Sequence, residues 1–261
     1  MVRAAMTESV QFELRGSAAV LRLARPEVHN AVNRAVISRL EECLEELDEH
    51  PEVTGLVLTG AGTRSFCAGS DLDELASMEE PGPQDAEAVL RMEGILDRLA
   101  SGPQVSVAAL NGSAFGGGCE LMSACHLRIA SASARFSLRQ TAMGLTPGWG
   151  GGARLFRRLG RSAALRLFLT ADTIDAEEAH RLGLVDLLVP PEDVLPESLR
   201  LIERISANGP EAIRGILALA EAMETESPQE IRAVERRLFT DSFGNDHFRG
   251  RLESWRARRR P

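Results

Sequence analysis

Twice in this chain an all-apolar strand runs into a glycine-bearing loop and then into a helix, and no other feature limits the possible folds as strongly. Leu56-Val57-Leu58 is uniformly apolar and leads through Gly60-Ala-Gly-Thr-Arg-Ser-Phe-Cys-Ala-Gly-Ser-Asp71, where a helix is predicted to begin. Val105–Leu110 is nearly all apolar and leads through Asn111-Gly112 and Gly116-Gly117-Gly118 into a helix predicted over 119–125. A strand without a polar face has to be covered on both sides, which is the environment of a parallel sheet. Repeated units of this kind predict an α/β core whose chemistry sits in loops at strand ends.

The flanking segments fit that frame. Val10, Phe12 and Leu14 alternate with polar residues, Gly16-Ser17 interrupts, and Ala19, Leu21 and Leu23 resume the alternation, which predicts a β-hairpin with one buried face. Asn33 caps a helix over 34–48, with Val36, Ile37, Leu40, Leu44 and Leu47 on one face. Pro81-Gly-Pro83 precedes a helix near 84–100 whose inner stripe is Val89, Met92, Leu96 and Leu99. Beyond Ala130 come short strand pieces, the run Pro147-Gly-Trp-Gly-Gly-Gly152, helices near 153–159 and 161–170, and a late strand over 184–189. From about Pro190 the pattern is helical, with Pro191, Pro196, Pro210 and Pro228 near helix starts. The expected organisation is an α/β core over 1–195 and a helical region over 196–261, rich in apolar residues such as Ile213, Ile216, Leu238, Phe239 and Phe243.

Composition narrows the function classes. A net charge of −8 over 261 residues opposes a general nucleic-acid or anionic-membrane partner, which needs concentrated positive charge. All 30 basic residues are arginine, so any phosphate has to be met by guanidinium groups, backbone N–H groups or helix N-termini. The first residues carry no apolar leader and no window suits a membrane span, so a cytoplasmic protein is expected. Cys43, Cys67, Cys119 and Cys125 lack metal or redox spacing and are expected to be buried thiols.

The two glycine loops are where chemistry is expected. Phe66-Cys-Ala-Gly-Ser-Asp-Leu72 places a glycine just before a helix start, and Asn111-Gly-Ser-Ala-Phe-Gly-Gly-Gly-Cys-Glu120 repeats the device. N–H groups at a helix start lack intrahelical acceptors, so they can point at a carbonyl oxygen that is gaining charge. Glycines let the backbone approach a ligand closely. Glu120 falls in the first turn, where the helix dipole favours a carboxylate with or without a chemical task.

Together, in order, these loops resemble the F-C-A-G-x-D-L and N-G-x-A-x-G-G-G-x-E segments of the enoyl-CoA hydratase/isomerase (crotonase) superfamily. Arg25-Pro-Glu-Val-His-Asn-Ala-Val32, Ala134-Arg-Phe-Ser137, Gly144-Leu-Thr-Pro-Gly-Trp-Gly-Gly151, Arg161-Ser-Ala-Ala164 and the stretch 176–184 resemble further segments of that superfamily, so the likeness spans about residues 10 to 255. The resemblance implies a spiral of repeated ββα units followed by a C-terminal helical region. It implies an oxyanion hole made by the N–H groups of Ser70 and Gly117, which stabilises a thioester enolate. It places Val28, Ala68, Ser70, Asp71, Leu72 and Gly117 against coenzyme A, which enters as part of the acyl-CoA substrate, with no tightly bound cofactor and no metal.

Hydratases of the superfamily orient water between two glutamates. Glu120 matches the first, whereas Gln140 stands where the second belongs, and an amide cannot accept the proton of water. Hydratase-type lyase chemistry is the default expectation. An alkylmalonyl-CoA-type decarboxylase, a double-bond isomerase and a catalytically silent acyl-CoA binder are the alternatives. His126 replaces an aspartate of the family and is assigned a structural role, while Trp149 is a candidate for the acyl pocket or for the core. The resemblance also implies a homotrimer or dimer of trimers, and sets the arginine-rich end, Trp255-Arg-Ala-Arg-Arg-Arg260, where relatives hold a basic residue near a CoA phosphate. A solvated tail is the alternative there.

Overall fold

The computed structural model describes residues 8–79 and 82–258, so Arg259 and Arg260 of the basic end lie outside the described residues. Strands β1 (Val10–Arg15) and β2 (Ala18–Leu23) form the expected hairpin, with Val10 opposite Leu23. Next come α1 (Arg34–Asp48), β3 (Gly55–Gly60), β4 (Ser65–Cys67), α2 (Leu72–Ala76) and α3 (Pro83–Ser101). The second unit is β5 (Val105–Leu110), β6 (Ser113–Phe115) and α4 (Gly117–Ala124). The third is β7 (Leu127–Ser131), β8 (Arg135–Ser137), α5 (Gly151–Leu159) and α6 (Arg161–Thr170). Short β9 (Ile174–Asp175), α7 (Ala176–Arg181), β10 (Leu187–Val189) and α8 (Val194–Ser206) follow, and then α9 (Pro210–Thr225), α10 (Pro228–Ser242) and α11 (Asp246–Ala257).

The pairing is that of a spiral. One sheet runs β1-β2-β3-β5-β7-β10 and the other β4-β6-β8-β9. Each repeat therefore contributes its first strand to one sheet and its second to the other. Among the described residues all strand pairings are parallel except β1 with β2 and β8 with β9. A parallel neighbour cannot be reached by a tight turn, so each repeat has to carry the chain through a second strand and a helix before it returns.

The expected strands, helices and capping Asn33 are present, and the Asn33 side chain accepts the Val36 N–H at 3.0 Å. Several details differ. The hairpin does not have a single buried face: β2 is an internal strand paired with β3 and nearly wholly buried, whereas β1 is an edge strand and Leu14 is exposed. The loop 60–71 contains β4, too short to carry a periodic signal. Helix α4 starts at Gly117, earlier than 119, because Gly117 and Gly118 occupy the first turn. The late strand shrinks to Leu187–Val189, since the N–H groups of Leu184 and Val185 bond back to the Ala179 carbonyl and close α7.

Leu21, Leu58, Leu110 and Phe136 join Leu40 and Leu47 of α1 and Met92, Leu96 and Leu99 of α3 in one core cluster. The four cysteines are buried as expected. Burial pushes the thiols of Cys67, Cys119 and Cys125 up to about 12, so they stay protonated and unreactive. His126 Nδ1 lies 3.0 Å from the Ser106 nitrogen, which ties β5 to the end of α4 in the structural role expected.

The chain divides into two compact units, Met1–Ile202 and Glu203–Pro261. Helix α8 runs through residues 195 and 196, so a cut at that point falls inside a helix. Within the second unit, Ser227 and Glu230 form a capping box that starts α10, and the rings of Phe239, Phe243 and Phe248 lie 5.5 and 5.2 Å apart in sequence. Ile216, Met223, Phe239 and Phe243 are all more than half exposed. Among the described residues no helix is long and apolar enough to cross a membrane.

Candidate active site

The two glycine loops meet. A Cβ added at Gly69 would stand 3.0 Å from the Gly117 nitrogen and 3.0 Å from the Phe115 carbonyl oxygen, so only a glycine lets the loop after β4 lie this close to the start of α4. Gly69 also has φ +94°, a conformation that side chains disfavour. On the other loop, a Cβ at Gly118 would sit 2.1 Å from the Cys67 carbonyl oxygen.

Ser70 is held from behind by a short parallel bridge to Val32. Val32 N–H donates to the Gly69 carbonyl and Asp71 N–H donates to the Val32 carbonyl, both at 2.8 Å. That pattern leaves the Ser70 N–H out of the pairing. Gly117 is the first residue of α4, so its N–H has no intrahelical acceptor. Among the described residues neither N–H donates to a protein acceptor. Two unpaired backbone donors on adjoining loops are suited to a carbonyl oxygen that acquires negative charge.

Asp71 braces this loop. Its Oδ1 accepts the N–H groups of Asp73 and Glu74 at the start of α2, and its Oδ2 accepts from Arg25 Nη1 at 2.7 Å. Burial alone pushes this carboxyl up, but the Arg25 hydrogen bond, the two backbone donors and the Arg25 charge outweigh it and leave it below the ordinary carboxylate range. The same Arg25 donates to the Ala31 carbonyl, and Ala68 N–H donates to the His29 carbonyl at 3.1 Å. The Arg25-to-Val32 segment is thereby locked to the Ser70 loop. His29 and Asn30 both take positive φ, and the Asn30 amide donates to the carbonyls of Ala61 and Ser65. Val28 and Ala68 are half-buried and Leu72 is 56% exposed at the start of α2. Asp71, with its carboxylate committed to Arg25 and the helix cap, acts from behind the loop.

Glu120 is 1% exposed and its carboxylate is saturated with donors. Gln140 Nε2 donates to Oε1 at 2.9 Å, with a longer contact from Gly148 N–H at 3.4 Å. Trp149 and Gly151 N–H groups donate to Oε2 at 3.0 and 3.1 Å. The carboxylate therefore caps the start of α5, where free N–H groups and the helix dipole favour an anion. Gly151 has to be glycine, because its Cβ would lie 2.4 Å from Glu120 Cβ. Gln140 is itself 8% exposed, and its Oε1 is buried without a hydrogen-bond partner.

Trp149 is buried, and its indole covers Gly117 so closely that a Cβ there would be 2.7 Å from the ring. Trp149 also lines a cleft of about 330 Å³, counted out to its open mouth, together with Val32, Ile37, Ser70, Asp71 and Val89 among others. Trp149 is the residue that links Ser70, Gly117, Glu120 and Gln140: its indole lies against Gly117 and lines the cleft with Ser70, and its N–H bonds the Glu120 carboxylate that Gln140 also holds. The donors of the 148–151 turn were absent from the sequence-level site, and the dense glycine run there was their only signal.

The sequence profile of the enoyl-CoA hydratase/isomerase family matches residues 13–261. The chain belongs to that family. Among its relatives, the crotonyl-CoA hydratase of Syntrophomonas wolfei is 38% identical over 84% of this chain and 84% of its own. The short-chain-enoyl-CoA hydratase of Clostridium acetobutylicum is 35% identical over 79% of this chain and 78% of its own. The crystal structure of an enoyl-CoA hydratase from Bacillus anthracis matches with a TM-score of 0.90 at 30% identity, covering 97% of this chain and 98% of that one. The protein is accordingly an acyl-CoA enzyme of the hydratase/isomerase kind, with the crotonase spiral and a C-terminal helical region.

Proposed function

We propose that the enzyme binds an acyl-CoA thioester with its carbonyl oxygen between the Ser70 and Gly117 N–H groups, and that it stabilises the enolate formed there. The observation that carries this reading is the pair of unpaired donors on loops held together by Gly69 and Gly118. Such donors act in a site closed to water and need no reorganisation as charge develops, and one of them is worth roughly 3–4 kcal/mol of barrier. Val28, Ala68 and Leu72 flank the loop and are the proposed contacts for the CoA portion, with Asp71 holding them in register.

Hydration of a 2-enoyl thioester is the default reaction. Glu120 serves as acid and base, Gln140 orients it through Nε2, and the unpartnered Gln140 Oε1 accepts a hydrogen bond from the water that adds. The saturated state of Glu120 favours a second reading, decarboxylation of an α-carboxylated thioester. That reaction needs the oxyanion donors and a dry pocket but no base. Double-bond isomerisation would again require Glu120 to leave its cap. Incubation with crotonyl-CoA, a 3-enoyl-CoA and methylmalonyl-CoA, followed by mass spectrometry of the products, separates the three. Rapid water addition supports hydration, and loss of CO₂ replaces it by the second reading. Binding without turnover of any of them points to a silent acyl-CoA binder.

The exposed apolar side chains of α9 and α10 support assembly as a homotrimer or dimer of trimers. A monomer in sedimentation velocity would overturn that part.

A further inference from the structure

The turn that caps Glu120 acts through main-chain atoms, so any residue except proline at position 149 would supply the same N–H. The indole is therefore a separate feature. It is 2% exposed, lies against Gly117, and forms part of the wall of the cleft that also contains Ser70. Its backbone is fixed by the 3.0 Å bond to Glu120 Oε2, and Gly150 follows at φ +79°. A wall pinned to the catalytic carboxylate on one side and to an oxyanion donor on the other cannot retreat without disturbing both.

We propose that Trp149 sets the acyl-chain length, closing the pocket behind Ser70 and Gly117 so that the site takes short acyl thioesters and rejects long ones. This rests on the placement of the thioester at Ser70 and Gly117. The cleft offers hydrocarbon the side chains of Val32, Ile37, Leu75 and Val89 beside Trp149, while Asn33, Arg34, Asp71 and Glu74 form the polar part of its lining. Trp149 is a specificity residue in this role, and Glu120 keeps the chemistry.

The chain has two tryptophans and no tyrosine, so Trp255→Phe leaves Trp149 as the sole indole reporter. Butyryl-CoA, octanoyl-CoA and free CoA would be titrated into Trp255→Phe by fluorescence, and into wild type, Trp149→Phe and Trp149→Ala by calorimetry. The expected result is an emission change with butyryl-CoA that free CoA does not produce. The ratio of octanoyl-CoA to butyryl-CoA affinity should rise at least about 10-fold in Trp149→Ala, with Trp149→Phe between, since each methylene that gains an apolar pocket is worth roughly that factor. An unchanged ratio in the folded Trp149→Phe and Trp149→Ala variants, with butyryl-CoA still bound, overturns the wall and leaves the thioester site standing. Failure of wild type to prefer any acyl-CoA over free CoA overturns the thioester placement and the wall with it.

Discussion

Gly118→Ala tests the contact that brings the two loops together. The added methyl would start 2.1 Å from the Cys67 carbonyl oxygen, where ordinary contact begins at 3.4 Å; the oxygen is backbone and the methyl is fixed directly to Cα. No rotamer change relieves such a clash, so α4 and the end of β4 have to separate by more than an ångström. The steric cost is about 1–3 kcal/mol. Replacing glycine by alanine within a helix returns up to about 1 kcal/mol, so the net loss of stability is about 1–2 kcal/mol. The catalytic cost is larger. Misplacing a reacting group by about 1 Å costs roughly 10²-fold, and losing an oxyanion donor roughly 10²–10³-fold. The variant should stay folded at 25 °C, with Tm lower by roughly 2–8 °C, and should show a kcat about 100-fold lower on the acyl-CoA that wild type turns over best. Steady-state kinetics with a thermal melt on the same preparation gives both numbers. Gly94→Ala in α3 is the control, because nothing lies within 4 Å of its added methyl. It should gain up to about 1 kcal/mol and keep full activity. A folded Gly118→Ala within about threefold of wild-type kcat would refute the proposed alignment of the Ser70 and Gly117 donors.

Gln140→Glu should increase hydration of crotonyl-CoA by roughly 10-fold or more, since the introduced carboxyl can take up and return a proton at a position where the amide cannot. A rate profile against pH would show the gain together with a new alkaline limb as the introduced acid loses the proton it donates toward Glu120. Asp71→Asn should cost about 2 kcal/mol at pH 7, because it breaks charge-assisted bonds to Arg25 and the α2 cap. The folded Asp71 carboxyl lies below its ordinary range, so this contribution is complete above about pH 5 and fades as pH falls through the folded value. Urea melts of both proteins at falling pH should therefore converge. Asp186→Asn removes the opposite charge 2.5 Å from the 1%-exposed Arg128 and leaves at most an amide oxygen to accept from it. Burial already holds that guanidinium down at about 10, so a loss of about 3 kcal/mol, or roughly 6–12 °C in Tm by calorimetry, is expected.

Much of the architecture was legible because it rests on local rules. The apolar runs of β3 and β5, the 3.6-residue stripe of α1 and the prolines opening α9 and α10 each report a periodicity or a backbone restriction carried by neighbouring residues. Strand β4 and the extent of β10 were not legible, since three residues cannot establish a period and their pairing partners are distant in the chain. The double burial of β2 was missed for a related reason. Its alternation resembles that of an edge strand, and only pairing with β3 encloses the second face.

The site divides in the same way. Gly69, Ser70, Gly117 and Glu120 could be singled out from sequence because glycine before a helix start and a carboxylate in a first turn have local meaning. Whether the two starts face each other is a matter of closures between residues far apart in the chain: Gly118 against Cys67, Val32 bridged to Ser70, and Arg25 bonded to Asp71. The state of Glu120 is likewise tertiary. The sequence identified a lone carboxylate beside an amide, whereas packing of α5 behind α4 surrounded that carboxylate with three backbone donors and set the Trp149 indole against Gly117. Backbone donors carry no side-chain signature, so their convergence on one carboxylate could appear only once the chain was folded.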